Sequence, residues 1–333
     1  MRKIAFSVCA CLLTTLPPEA TQKQRDPIVN EAYSAETSGP KMAGCPMLPS
    51  DHIWNTRIDN LPVDANSNAY VEAIGLNRSL HADFGSGNYR GAPIGIPFVI
   101  VAGDQPRVPV AFRYNRESDP GPYPIPPDAP IEGGPNGKGD RHVLVLDKDQ
   151  CTLYELFSAY PQADGSWKAG SGAIFDLHSN ALRPSGWTSA DAAGFPVLPG
   201  LVRYEEVAAG EIRHALRFTA PRTQKTHVWP ARHNASKLIE SHYPPMGQRF
   251  RLKSDYNIET FSPQVQVIVK TLKKYGMFLA DNGSPWFISG APDPRWNNAV
   301  LRELRRISGS DFEAVNQTGM MVNQDSGQAL DPR

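Results

Sequence analysis

The sequence has little to suggest a membrane or a nucleic acid. It lacks any apolar run of the roughly 18 residues that a membrane-spanning helix needs. It also lacks an excess of charge. Lysine plus arginine number 34 and aspartate plus glutamate 34, so the formal net charge is zero. A zero balance gives no electrostatic reason to expect nucleic acid or an anionic membrane as partner. Neither G-x-G-x-x-G nor G-x-x-x-x-G-K-[ST] occurs, which argues against a doubly wound nucleotide-binding fold. The absence of G-x-S-x-G and H-E-x-x-H weakens a serine-hydrolase or zinc-protease reading. Cysteine is scarce: beyond Cys9 and Cys11 there are only Cys45 and Cys151, with no C-x-x-C pair to hold a structural zinc.

Glycine and proline are plentiful. The chain has 27 glycines and 31 prolines among 333 residues, above the usual combined share of about 12%. That excess favours strands and turns over a helical bundle. Met1-Arg2-Lys3 followed by the apolar Ile4 to Leu13 reads as a signal peptide over residues 1–20, which implies a secreted or periplasmic protein. Cys9 and Cys11 would leave with it. In an exported chain the remaining pair, Cys45 and Cys151, is most simply one disulfide. Residues 21–44 read as a polar linker, 45–315 as a single β-rich domain and 316–333 as a polar tail. Sequons stand at Asn77, Asn234, Asn282 and Asn316.

Within the domain, Gly95 to Val101 and Val108 to Tyr114 read as strands flanking a Gly-Asp-Gln-Pro turn. His142 to Leu146 and Cys151 to Phe157 read as a hairpin. Residues 115–139 hold seven prolines and form a long loop, either a binding segment or a plain connection. Leu201 to Glu206 and Glu211 to Thr219 read as a second hairpin, whose alternation puts Ile212, His214, Leu216 and Phe218 on one face. Ser262-Pro263 opens a helix with Val265, Ile268, Val269 and Leu272 at helical spacing and Gly276 just past its end. Met277 to Ala280 reads as a strand that stops at an Asp281-Asn282-Gly283 turn. A second helix covers Asn297 to Ile307. The expected architecture is mainly β: a single β-sandwich or jelly-roll-like domain with two or three peripheral helices.

Polar side chains that carry chemistry cluster in mid-chain. Asp191, Glu206, His142 and His214 are the candidate catalytic groups. Trp187, Arg203, Trp229, Arg232 and His233 are candidates for holding substrate. Carboxylates with tryptophan faces suit a saccharide cleft. A glycosidase needs one protonated and one ionised carboxyl, for which Asp191 and Glu206 are the candidate pair. A polysaccharide lyase needs a proton acceptor, here His214 or His142, and a cation on the substrate acid, here Arg203 or Arg232. Each has a plainer reading. A histidine in an apolar row is more often a satisfied core residue. Adjacent Glu205 and Glu206 face opposite ways on a strand and could both be surface charges on a helix.

The run Ser189 to Glu206 with Gly210 to Leu216 resembles a group of exported bacterial proteins that share an AAGLP…PGL…E…G-I-HAL segment. Three later segments fit the same group: Pro230-Ala-Arg-His233, Pro244 to Leu252 and Tyr275 to Gly283. Phe195 stands where that group has Leu. The resemblance spans roughly residues 140 to 290 and implies export, but it carries over no substrate and no catalytic residue.

The reading that follows is a secreted enzyme acting on a polysaccharide or oligosaccharide, as hydrolase or lyase. One alternative is a non-catalytic carbohydrate-binding or cell-surface protein working through Trp187 or Trp229. The other is a metal-dependent enzyme in which a divalent cation sits among His142, His178, His214 and His233 with Asp140 or Asp191. No cofactor is required by any motif.

Overall fold

The computed structural model describes Met1 and residues 39–331. The expected signal peptide and most of the expected linker lie outside the described residues. Strands hold 27% of the chain and helices 17%, so the fold is mainly β.

Two short ribbons pair β1 (Lys41–Met42) with β2 (Cys45–Pro46) and β4 (Asn88–Tyr89) with β5 (Ala92–Pro93). A four-stranded sheet runs β12 (Ser171–Asp176), β9 (Thr152–Phe157), β8 (Val143–Asp147), β6 (Phe98–Val101). A three-stranded sheet runs β10 (Tyr160–Pro161), β11 (Trp167–Ala169), β7 (Val110–Phe112). The largest sheet has six strands in the order β17 (Phe312–Ala314), β14 (Arg249–Leu252), β15 (Met277–Asn282), β13 (Leu216–Ala220), β16 (Phe287–Ser289), β3 (His81–Asp83). It is mixed: β13 lies parallel to β15 and antiparallel to β16.

The continuous apolar run of β8 has a direct cause. Leu144 and Leu146 enter the main core, while Val143 and Val145 enter a second, smaller one with Tyr123, Tyr154 and Trp167. A strand covered on both faces has no polar side to alternate with. The β8–β9 hairpin forms as expected, Val143 opposite Leu156 and Asp147 opposite Thr152. The disulfide between Cys45 and Cys151 closes a loop across a sequence separation of 106.

Three expectations need correction. First, β6 and β7 do not pair with each other; β6 lies parallel to β8 and β7 parallel to β11, in different sheets. Second, the expected hairpin around Val207 to Gly210 is a helix, Tyr204–Ala209, followed by a loop and β13. Gly210 ends that helix at φ 90°, a conformation that favours glycine. Third, the segment 316–331 is no free tail. Ile53 N donates to Gly327 O, Gly327 N to Asn180 O and Ala329 N to Asp51 O, and Met320 is buried. At the other end, Met47 N donates to Pro40 O, so residues ahead of Cys45 already pack with the domain.

The longest helix, Pro263–Lys274, buries Val265, Ile268, Val269 and Leu272 as their spacing requires. Ser262 makes no side-chain cap hydrogen bond to the helix; its N–H and hydroxyl both donate to Glu303, at the start of the Arg302–Arg306 turn. Residues 115–139 pack down rather than waving free, with Tyr123, Ile125, Ala129 and Ile131 buried in the smaller core.

Candidate active site

A cleft of about 360 Å³ opens where the two larger sheets contribute side by side. Phe157 and Ser171 come from β9 and β12, Asp281 and Asn282 from β15, and Ser189 to Ala192 from the turn between them. Tyr114, Glu117 and Asp140, from the two ends of the Pro-rich loop, complete the lining together with His233.

The turn that carries Asp191 is held from several sides. Asp191 N donates to Ser189 Oγ, and the Ser189 hydroxyl lies 2.5 Å from Phe195 O. Gly194 N returns to Asp191 O, and Gly194 has φ 79°. A Cβ there would sit 2.8 Å from Trp187 O, so the close turn requires glycine. Ala193 N donates to Ala280 O, which fastens the turn to β15.

Asp191 itself is fully buried. Its Oδ2 accepts from Arg217 Nε at 3.0 Å, and Arg217 also donates to Ser289 Oγ at 2.6 Å. Its Oδ1 is buried with no hydrogen-bond partner in the protein. Asp281 shares the cleft. The β13–β15 register slips between Phe218 and Thr219, so Leu279 faces Phe218 but Asp281 faces Thr219. Such an irregularity re-aims the side chains after it, and it recurs beside active sites. Burial, and then the neighbouring Asp191 charge, push the Asp281 carboxyl up to about 7. Burial also raises Asp191, against the pull of Arg217 and its hydrogen bond. The direct guanidinium contact favours the charged form of Asp191, and among the described residues Asp281 has no such ion pair.

His142 stands behind this wall, not in it. Its Nδ1 lies 2.6 Å from Glu132 Oε2 and its Nε2 2.9 Å from Ala190 O. Both partners accept, so both ring nitrogens donate and the ring is an imidazolium. Burial opposes that charge, but Glu132 and its hydrogen bond carry the His142 pKa up to about 9. An imidazolium has no lone pair with which to take a proton, so His142 braces Ala190 and the Asp191 turn. Glu155, another buried carboxyl, accepts from Val197 N and Leu198 N and anchors the next turn.

Of the residues expected from sequence, the cleft brings together Asp191 and His233. His233 donates from Nδ1 to Ala192 O at 2.8 Å and faces Glu117 at 3.9 Å. Glu206 is not the partner of Asp191. It belongs to a separate buried trio, 2.6 Å from Arg203 and 3.2 Å from His214 Nε2. His214 Nδ1 is spent on Ala215 O, and Arg203 also donates to Leu198 O. Glu205 points to solvent and pairs with Arg295. Arg232 is consumed by Arg183 O, Gln324 O and Asp325. Trp229 donates to Ser326 O and lines a different pocket, with Asp64 and Gln317. Trp187 lies beside the Arg183 guanidinium and is not in the cleft wall. The base and arginine expected for elimination are therefore each engaged elsewhere. Among the described residues no three His, Cys, Asp or Glu side chains are placed to hold a metal ion, so the expected histidine cluster does not assemble.

Sequence reasoning missed Asp281 because Asp-Asn-Gly reads as a turn. The turn begins two residues later, since β15 runs on through Asn282. The available signal was a carboxylate directly after an apolar strand, Met277 to Ala280.

Comparison with protein-family models, with curated proteins and with solved structures finds no match.

Proposed function

We propose that this protein is an exported glycoside hydrolase in which Asp281 is the general acid and Asp191 the ionised partner, on a sandwich-like pairing of the two larger sheets. The observation that carries the reading is the split between two carboxyls in one cleft. Asp281 has no cation in contact and a carboxyl raised to about 7, while Asp191 is paired with Arg217. A glycosidase needs this division: one group gives a proton to the leaving oxygen, the other serves the anomeric carbon. The unpaired Oδ1 of Asp191 is the acceptor for that second role, as base toward water or as nucleophile.

The disulfide and the apolar N-terminal stretch support export. Hydrolysis is favoured over elimination because no arginine lines the cleft among the described residues, so no guanidinium is placed there to neutralise a uronate.

The test is a panel of oligosaccharides, scored for new reducing ends and for absorbance from unsaturated products. New ends without absorbance, lost in Asp281→Asn and Asp191→Asn, support the reading. Unsaturated products, or activity that survives both substitutions, overturn it. Proton NMR of the first-formed anomer then tells whether Asp191 acts as base, with inversion, or as nucleophile, with retention.

A further inference from the structure

The charge around the cleft is of one sign. Glu117, Asp140, Asp191 and Asp281 line it, and His233 is the one basic side chain among its described lining residues. The other nearby cations are already committed. Arg217 lies behind Asp191, bonded to it and to Ser289. His142 gives both its N–H groups to Glu132 and Ala190.

An acidic lining alone does not define a ligand. The second observation is Oδ1 of Asp191, a buried carboxylate oxygen that no donor in the protein satisfies. A buried acceptor of this kind is costly unless a bound group supplies the donor. Water or a neutral hydroxyl would supply one hydrogen bond. An ammonium would supply a charge-assisted hydrogen bond there and would also meet the field of Glu117 and Asp140.

We propose that the cleft selects a sugar carrying a free amino group, and that it rejects uronic acids. The inference rests on the glycosidase reading and names its substrate class. An amino group on the carbon next to the anomeric centre reaches the same carboxylate that serves the anomeric carbon, so one residue can both recognise and react. Asp140, exposed at the rim, adds field without taking part in the chemistry. A uronate in the same place would meet the carboxylates of Glu117, Asp140 and Asp191.

The experiment uses the full chain and three tetrasaccharides: glucosamine, N-acetylglucosamine and galacturonate. Binding is measured by calorimetry at about pH 5.5, where a primary amine is charged, and cleavage is followed in parallel. The glucosamine tetramer is expected to bind about tenfold more tightly than its acetylated form, which has the same backbone but no charge. Galacturonate is expected not to bind. Asp140→Asn should narrow the glucosamine preference several-fold.

Equal or tighter binding of the acetylated or galacturonate tetramer overturns the proposal, and so does a failure of glucosamine to bind. The two readings fail differently. Glucosamine bound tightly but never cut leaves the charge selection standing and sinks the hydrolase. Cleavage of neutral sugars without a glucosamine preference does the reverse.

Discussion

Arg217 holds one oxygen of Asp191, with Nε 3.0 Å from Oδ2, and leaves the other, Oδ1, buried without a partner. The guanidinium is thus the counter-charge beside Asp191 and, in the proposed reaction, the reason that only one oxygen is free to react. Arg217→Met removes the cation and leaves a buried carboxyl. Breaking a buried pair from one side costs about 3–5 kcal/mol. Urea denaturation should show that loss, and the surviving folded enzyme should be inactive because Asp191 takes up a proton. A variant that keeps wild-type turnover would remove Arg217 from this role.

In the proposed reaction Asp281 acts in its protonated form. Its pKa is raised from 3.8 to about 7, so activity should hold on the acid side of 7 and fall about tenfold per pH unit above it. Asp281→Asn should lower kcat by about 10²–10⁴ and abolish that alkaline limb. Stability supplies an independent check. A carboxyl raised by folding costs stability as pH climbs from its unfolded pKa through about 7. The asparagine variant should therefore gain in Tm relative to wild type over that interval. A variant equally destabilised at every pH would point to plain misfolding.

The Glu132–His142 pair should act in the opposite direction. The folded pKa of His142, about 9, lies above its unfolded value of 6.5. The pair's contribution from His142 is complete below pH 6.5 and disappears as pH rises through 9. Melting curves of wild type and Glu132→Gln should thus be farthest apart near pH 6 and converge by about pH 10. A gap that stays constant would mean that the ring is neutral in the folded protein.

Glu206 gives the sharpest contrast between sequence and structure. It is bonded to Arg203 and His214 outside the cleft. Glu206→Gln should lower stability by about 1–3 kcal/mol, in the range of a lost hydrogen bond to charged groups. Its kcat, measured well below the new Tm, should stay within about twofold. A hundredfold loss of turnover in a folded variant would return Glu206 to the active site.

Cys45 and Cys151 close a loop across a separation of 106 residues. Loop-closure entropy puts their bridge at about 4–5 kcal/mol. The double alanine variant should lose stability on that scale and keep its activity when cold, because neither cysteine lines the cleft. Inactivation of the folded variant would show that the bridge also shapes the site.

Several local features were legible in the residues. The Ser262-Pro263 start, the 3.6-residue spacing through Leu272 and Gly276 at φ 64° all follow from local preferences. So does the β8–β9 hairpin, because its turn and its apolar arms are adjacent in the chain. The Tyr204–Ala209 helix was misread because Leu201 to Glu206 has strand-like composition, and tertiary packing outweighed it. The two strands around the Gly-Asp-Gln-Pro turn went to different sheets for a related reason: their partners, β8 and β11, lie far along the chain.

The sequence by itself determined the mainly β class, the long helix and the pairing of its only two mid-chain cysteines, since propensity, periodicity and counting act over short spans or leave one choice. It also pointed to Asp191 and His233. Only the tertiary structure decided that Asp281, not Glu206, shares a cleft with Asp191. That choice depends on a register slip between β13 and β15 and on an arginine 26 residues from its carboxylate. The charge state of His142 was likewise a tertiary matter, set by a carboxylate and a carbonyl that come together only when the chain is folded. Long-range pairing and burial fix pKa values and alignment, and neither is written in any single stretch of residues.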